Sequence, residues 1–441
     1  MMSLGALLIV VCMLMFIIER MAGVYNTDFP VIMLIVIFGY LLREVYRFRE
    51  HAFSYSYQIY YFIGVLVSAI FISNGAEMLE INKSGSANGV FWMIAVFFIS
   101  GLEASRLVYS KTSKTFRCSS VPLLEGRLEF GLMVSIVCFV VFLICYVFFK
   151  YSGPLILGIE RSTFWNYIVP GNLSFIPSLL VQTFFFSIAL WWSRVGGVYK
   201  NIFSLLVVVF YLFGTVIVVG QKFSSLIIYF SIFLFFVAAH NANFRISFKV
   251  IFFLVLVMVV VVALVVLSYF HIGRDATFIL IRVALQSQLN WSVIDVLEVP
   301  WLPSSPITCF FGCQYETGRD YISERYLPPA TYEHYKISGS GLSGFLPALP
   351  VLTFGLPLAL VLHVLISMLN GAMQALLVHH IRHRNAIYSF LLFKAHFAIV
   401  LFWYAALHAA VTGPLFLLVI FLILFLNIVK HSVVSPAHSS E

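Results

Sequence analysis

Seven basic residues carry the chemistry that this sequence most clearly offers: Arg161, Lys222, Arg274, Arg282, Arg319, Arg325 and Lys336. Five are arginines, whose planar fork suits phosphate because it makes two parallel charge-assisted bonds. As a set they point to an anionic ligand. Taken singly, each could instead snorkel to lipid headgroups or pair with Asp275, Glu298, Glu316, Asp320, Glu324 or Glu333. Tyrosines gather around the later cations (Tyr315, Tyr321, Tyr326, Tyr332 and Tyr335), with Trp291 and Trp301 nearby. Aromatic faces beside charged and amide groups are a composition that binds sugars, although interfacial aromatics look the same. His334 is the one histidine placed to act as a base.

The elements that position these residues are set by composition. Of 441 residues, 62% are hydrophobic and 10% charged, against about 25% charged in soluble domains. The apolar residues recur as runs long enough to cross a bilayer, about 20 residues each. Twelve spans are expected, near 3–18, 29–42, 57–73, 89–105, 129–149, 173–192, 202–219, 223–239, 250–269, 349–377, 386–406 and 412–430. Each must be helical, because hydrocarbon offers no partner for an exposed backbone group. The expected fold is therefore an all-α polytopic membrane protein, one transmembrane domain over 1–441, with the first run an uncleaved helix.

Lys and Arg orient it. With twelve alternating spans, fifteen fall on one side and ten on the other, and Lys394 lies within a span. The richer side is read as cytoplasmic, which places both termini there. The net charge of +8 follows from that asymmetry and calls for no nucleic-acid partner. Two long loops then face outward, 151–172 and 271–349, and loops of the second size are usually functional. They hold six of the seven cations, and Lys222 lies in the turn Gly220-Gln221-Lys222.

Within the larger loop, 275–295 reads as a helix at the outer interface. Asp275, Arg282, Gln286 and Asn290 share one stripe, which would either face a cavity or belong to an ordinary lipid-resting helix. Cys309 and Cys313 could pair if this loop meets an oxidising compartment. Those two cysteines are too few for a metal site, and neither cofactor nor metal is expected. No P-loop, dinucleotide fingerprint, HExxH or GxSxG occurs. His363 and His396 read as packed side chains, whereas a buried Lys394 is a functional suspect.

Three local patterns resemble the O-antigen polymerases (Wzy), the oligosaccharide repeat unit polymerases. One is an outer-loop arginine followed ten residues later by glycine, here Arg161 and Gly171. Another is Gly220-Gln221-Lys222-Phe223 opening a span, and the third is Arg282 thirteen residues before Asp295. The large loop departs from the pattern, since Arg325 precedes Gly339 by fourteen positions. The resemblance covers roughly 153–360. It implies a GT-C-like polyprenyl-phosphate glycosyltransferase architecture in a bacterial cell inner membrane, multi-pass, with amphipathic helices between spans 9 and 10. The implied partners are an undecaprenyl-diphosphate-linked oligosaccharide donor and acceptor, membrane lipid and a candidate chain-length regulator.

On that resemblance, Arg282 and Arg325 would stabilise the departing diphosphate. Glu324, Asp320 and His334 are the candidate bases. Arg161, Lys222, Arg274, Arg319, Gln286, Tyr326 and Lys336 would bind substrate. Fixed arginines supply the charge stabilisation without a metal. The product would be O-antigen or a related surface polysaccharide made at the periplasmic face. The rivals are an O-antigen ligase and a lipid-linked oligosaccharide flippase. A ligase would show a histidine–asparagine pair where this chain has Ser340-Gly341-Leu342-Ser343, and a flippase would line its spans with charge.

Overall fold

A computed structural model describes residues 3–22, 28–76, 78, 81, 89–115, 126–192, 198–220, 223–240, 263, 266–267, 270–271, 273, 288–297, 299–315, 318–338 and 345–405. These residues are helical, with no strand among them. Eight helices are long and apolar enough to cross a membrane: α1 (Leu4–Ala22), α2 (Asp28–Arg47), α4 (Ser56–Ser73), α5 (Val90–Thr115), α6 (Gly126–Tyr151), α9 (Ile176–Trp192, whose apolar window reaches back to Gly171), α16 (Leu356–Arg382) and α17 (Ala386–Ala405). The expected spans 202–219 and 223–239 are the shorter apolar helices α10 (Val198–Phe213) and α11 (Phe223–His240). Spans 250–269 and 412–430 lie outside the described residues, apart from isolated positions of the former.

Short elements connect them: α3 (Arg49–Ser54), α7 (Pro154–Leu157) and α8 (Arg161–Thr163). In the large loop lie α12 (Gln288–Val296), a 3-10 turn (Ile307–Phe311), α13 (Gly318–Tyr326) and α14 (Pro329–Ser338). The expected span 349–377 is interrupted. α15 (Ala348–Phe354) ends at Gly355, where φ is +73° and a Cβ would lie 2.7 Å from the Trp301 carbonyl oxygen. The loop there donates a partner as well, since the Leu356 amide bonds the Pro300 carbonyl at 2.9 Å.

Burial runs opposite to that of a water-soluble protein. α1 exposes Leu7, Val10, Leu14 and Ile18, and α16 exposes Leu358, Val361, Leu365 and Leu369, each a stripe at helical spacing. Glu19, Gln58, His363, Ser367 and Gln374 are buried instead. Apolar side chains face outward and polar ones bond between helices, the arrangement hydrocarbon demands. The chain is a membrane-embedded helical protein.

The chain divides into two compact units. One comprises residues 1–121, 282–377 and 391–441, the other 122–281 and 378–390. α5 is the axis of the first: it is apolar all round, and its residues from Val90 to Leu102 are almost entirely buried. α1 runs antiparallel against it. Glu19 accepts from Trp92 Nε1 at 2.6 Å and from the Gly89 amide at 3.1 Å, while Gly5 at the other end lies against Glu103. The first unit thus has two ends. At one, Glu44 on α2 and Glu103 on α5 both pair with Arg106, and Tyr40 bonds Glu103. At the other, Arg20 bonds the Ile294 carbonyl at 2.8 Å and the Leu297 carbonyl, gripping the last turn of α12, where the helix dipole favours a cation.

α12 is more enclosed than an interfacial helix. Gln288, Leu289, Asn290, Trp291, Ser292, Val293 and Ile294 are all buried, and Asn290 Oδ1 caps α15 by accepting from the Ala348 amide at 3.0 Å. The rest of the expected 275–295 helix, including Asp275, Arg282 and Gln286, lies outside the described residues. In the second unit α9 packs between α6, α10 and α11.

Gly371 on α16 lets that helix meet α5, since a Cβ there would lie 2.9 Å from the Ser105 carbonyl carbon. Gly39 on α2 has nothing within 4 Å of an added Cβ. Gly371→Ala is therefore expected to cost about 1–3 kcal/mol through overpacking. Gly39→Ala should be neutral or gain about 0.5–1 kcal/mol from reduced backbone entropy. Thermal unfolding in detergent checks the contrast, and equal shifts for the two variants would refute the close approach of α5 and α16.

Candidate functional site

The described site residues fall into two groups, one in each unit. In the second unit the group centres on Arg161. α6 stops at Tyr151, and Ser152 and Gly153 turn the chain at positive φ. Gly153 must be glycine, because a Cβ would lie 2.5 Å from the Ile217 carbonyl oxygen. Arg161 opens α8, which passes into a π turn, Phe164–Ile168. Trp165 Nε1 anchors that turn by donating to the Val219 carbonyl at 3.0 Å. Gly220 then lies beneath the arginine. At φ +70°, an added Cβ would be 2.6 Å from Pro154 Cγ and 3.4 Å from both Arg161 Cβ and Cγ.

Arg161 therefore depends on Gly220 more than on Gly171. Gly171 has open space where a Cβ would be and no positive φ. Arg161 is exposed, yet the protein around it removes enough water to lower its pKa from the usual arginine value. Arginine stays charged regardless.

In the first unit the group centres on α13. Arg325 Nη1 donates to Tyr321 Oη at 3.0 Å, and its guanidinium lies 5.9 Å from the centre of the Tyr326 ring. Tyr321 in turn shares a 2.8 Å hydrogen bond with Ser305, which ties α13 to the loop before it. Partial burial works against the charge of Arg325, but the phenols of Tyr321 and Tyr326 outweigh it and raise the pKa. Burial pushes the Tyr326 phenol up, against the pull of Arg325. The Tyr332 phenol is pushed up by slight burial and then by the carboxylates of Glu324, Asp320 and Glu333. Glu324 and Lys336 are exposed.

The 3-10 turn is pinned by a Cys309–Cys313 disulfide, and Phe310 within it packs on Phe354, Phe402 and Trp403. Arg319 and His334 lie on α13 and α14, with side chains outside the description. Lys222, Arg274, Arg282 and Gln286 lie outside the described residues entirely. Lys394 is half-buried on α17, whereas His363 is packed and bonded on both ring nitrogens, to the Phe97 carbonyl at 2.8 Å and Trp403 Nε1 at 3.0 Å.

Arg161, Arg325 and Lys336 form no ion pair with a described residue. Arg106, at the opposite end of the first unit from Arg20, pairs with two glutamates. The Tyr321–Ser305 brace and the Arg20 grip on α12 were not foreseen from the sequence. Tyr321 was one tyrosine among several there, and Arg20 only a count toward orientation.

Fold and site together define a helical membrane protein with arginine-bearing loops between its apolar helices. A family model described as "Family of unknown function (DUF6418)" matches residues 313–406. The match takes in Arg319, Glu324, Arg325, Tyr326, His334 and Lys336 and continues through α15, α16 and α17. No curated protein and no solved structure matches the chain.

The disulfide is directly testable. Cys309 and Cys313 are expected to resist maleimide in native membranes and to label after mild reduction, read by mass spectrometry of the 299–315 region. Labelling that is complete before reduction would show that the bridge is absent.

Proposed function

We propose that the protein is a metal-independent glycosyltransferase. It joins undecaprenyl-diphosphate-linked oligosaccharide repeat units into O-antigen or a related surface polysaccharide, at the periplasmic face of a bacterial inner membrane. The observation that carries this reading is the bracing of Arg325 by Tyr321 and Tyr326 in the large loop, with no ion pair to a described carboxylate. A cation held near hydrocarbon normally acquires an acid, as Arg106 does twice. An arginine braced by phenols, with no described carboxylate beside it, is suited to an anion that arrives with the substrate.

In the proposed reaction a hydroxyl of the acceptor sugar attacks the anomeric carbon of the donor glycan. The bond from that carbon to the diphosphate oxygen breaks, and the diphosphate leaves with the electron pair. Arg325 is placed to neutralise the developing charge, together with Arg282 by resemblance, because its fork is already aimed by Tyr321. Arg161 and Lys222 would bind the donor or the chain, and Arg274 and Arg319 are further substrate-binding candidates. Tyr326 and Gln286 line the sugar, and Glu324, with Asp320 or His334, accepts the hydroxyl proton. The disulfide in the large loop supports an oxidising, non-cytoplasmic location. Both termini are then cytoplasmic.

A second reading, a transporter of lipid-linked oligosaccharide, draws on the polar residues buried among the helices of the first unit, Gln58, His363 and Gln374. An O-antigen ligase would use the same cations.

Gel analysis of surface polysaccharide separates these readings. A strain lacking the protein is expected to show single repeat units on its surface lipid, whereas loss of a ligase or a flippase leaves none. Arg325→Ala should reduce long-chain polymer about 100-fold or more, the cost of one lost charge-stabilising donor. Arg325→Lys should recover only part, and protein level should be unchanged in both. Normal polymer from Arg325→Ala at normal level would contradict the assignment.

A further inference from the structure

Four helices of the first unit bring polar side chains to one place in its interior. Gly101 on α5 makes the room: a Cβ there would lie 2.5 Å from His363 Nε2, 3.0 Å from Ser367 Oγ and 3.0 Å from Tyr55 Oη. Tyr55 precedes α4 as its N-cap, and Gln58 and Tyr61 follow it at steps of three along the helix. Tyr404 on α17 closes the fourth side, its ring 5.0 Å from Tyr61 and 6.3 Å from His363.

This cluster is more than helix-to-helix bonding. Gln58 is fully buried, and neither its amide oxygen nor its amide nitrogen has a hydrogen-bond partner. The hydroxyls of Tyr55 and Tyr404 are close enough to interact, yet neither completes a hydrogen bond of normal geometry. Leaving a buried polar group unmet costs about 1–3 kcal/mol. Several such groups gathered in one cluster identify a ligand able to donate and accept at once.

Toward one end of the unit the polar groups form a connected series. His51 stacks on Tyr55 with ring centres 5.4 Å apart, and its Nε2 bonds Ser105 Oγ at 3.0 Å. Ser105 reaches Gln374 at 3.4 Å, Gln374 reaches the Ser54 carbonyl at 3.2 Å, and Tyr109 beside His51 reaches Glu50 at 3.4 Å. Glu50 is partly exposed at the end that carries Arg43 and Arg106. Toward the other end the Tyr61 hydroxyl is already satisfied. Tyr61 Oη is taken up by the Leu346 carbonyl at 3.0 Å and amide at 3.2 Å.

We propose that the first unit encloses a hydrated half-channel. Water enters at the end bearing Arg106 and Glu50, binds among Tyr55, Gln58 and Tyr404, and is stopped by Tyr61. The bound water bridges the Gln58 amide and the two phenols, and it gives the interior a proton-exchanging contact with one side of the membrane. The inference is independent of the glycosyltransferase reading.

Hydroxyl-radical footprinting by brief X-ray radiolysis of the full chain in membranes tests it, because radicals formed from trapped water mark the side chains beside it. Tyr211 and Tyr229 are matched controls. They are equally buried, but their hydroxyls are bonded to Thr183 and Thr215. Tyr55 and Tyr404 should oxidise at least about tenfold faster than these two, on the premise that bound water serves buried polar groups. Gln58→Leu should slow that labelling several-fold, and it should lower the unfolding temperature, since a satisfied amide is lost. Labelling of Tyr55 and Tyr404 as slow as the controls would overturn the proposal. So would labelling unchanged in Gln58→Leu, or a Gln58→Leu variant that melts higher than the native protein, the sign expected for removing an amide from a dry site.

Discussion

Charge near hydrocarbon must be compensated, and most of this structure follows from how that is done. A carboxylate or guanidinium taken out of water loses several kcal/mol of solvation unless a partner restores it. At one end of the first unit the compensation is internal: Glu44, Glu103, Arg106 and Tyr40 close on one another between α2 and α5. At the other end Glu19 is met by Trp92 and an amide, and Arg20 by two carbonyls. These contacts fix the registers of α1, α2 and α5 and attach the large loop to the first helix through α12.

Against that background the unpaired cations acquire meaning. Arg161 and Arg325 are held by different means, one by the close floor of Gly220 and the other by Tyr321 with Ser305 behind it. Gly220 approaches the stem of Arg161, whereas Tyr321 and Tyr326 engage the guanidinium of Arg325. Preorganised charge stabilises a departing diphosphate without reorganisation during the reaction, which is where such donors contribute most. The tyrosines that surround Arg325 add flat apolar faces of the kind sugars rest on.

Length and hydropathy made the apolar helices legible, because crossing hydrocarbon needs about 20 apolar residues. Eight expected spans coincide with helices of sufficient length, and two more with shorter ones. The break at Gly355 was not legible, since it depends on Trp301 and Pro300 arriving from a loop some fifty residues earlier. Asn290 shows the same limit. Its place on a polar stripe was readable, but its use as a cap for α15 required knowing which helix lies over it. Arg161 was recognised as important, and the neighbouring turn Gly220-Gln221-Lys222 was recognised separately. That Gly220 lies directly beneath Arg161, while Gly171 stands in open space, is a fact of packing alone. Periodicity reports what an element is, and long-range contacts decide what its residues are for.

The central claim of the proposal is that Arg161 and Arg325, which form no ion pair with a described residue, each bind a lipid-borne diphosphate. Titration of the purified full-length protein with undecaprenyl diphosphate, followed by native mass spectrometry, measures this directly. The account predicts saturable binding that Arg161→Ala and Arg325→Ala each weaken about tenfold or more, the scale of a lost charge-assisted bond. Arg43→Ala, a change at an acid-paired cation, should leave it unaltered. Equal binding by all of these variants, or no preference for the diphosphate over undecaprenol, would contradict it.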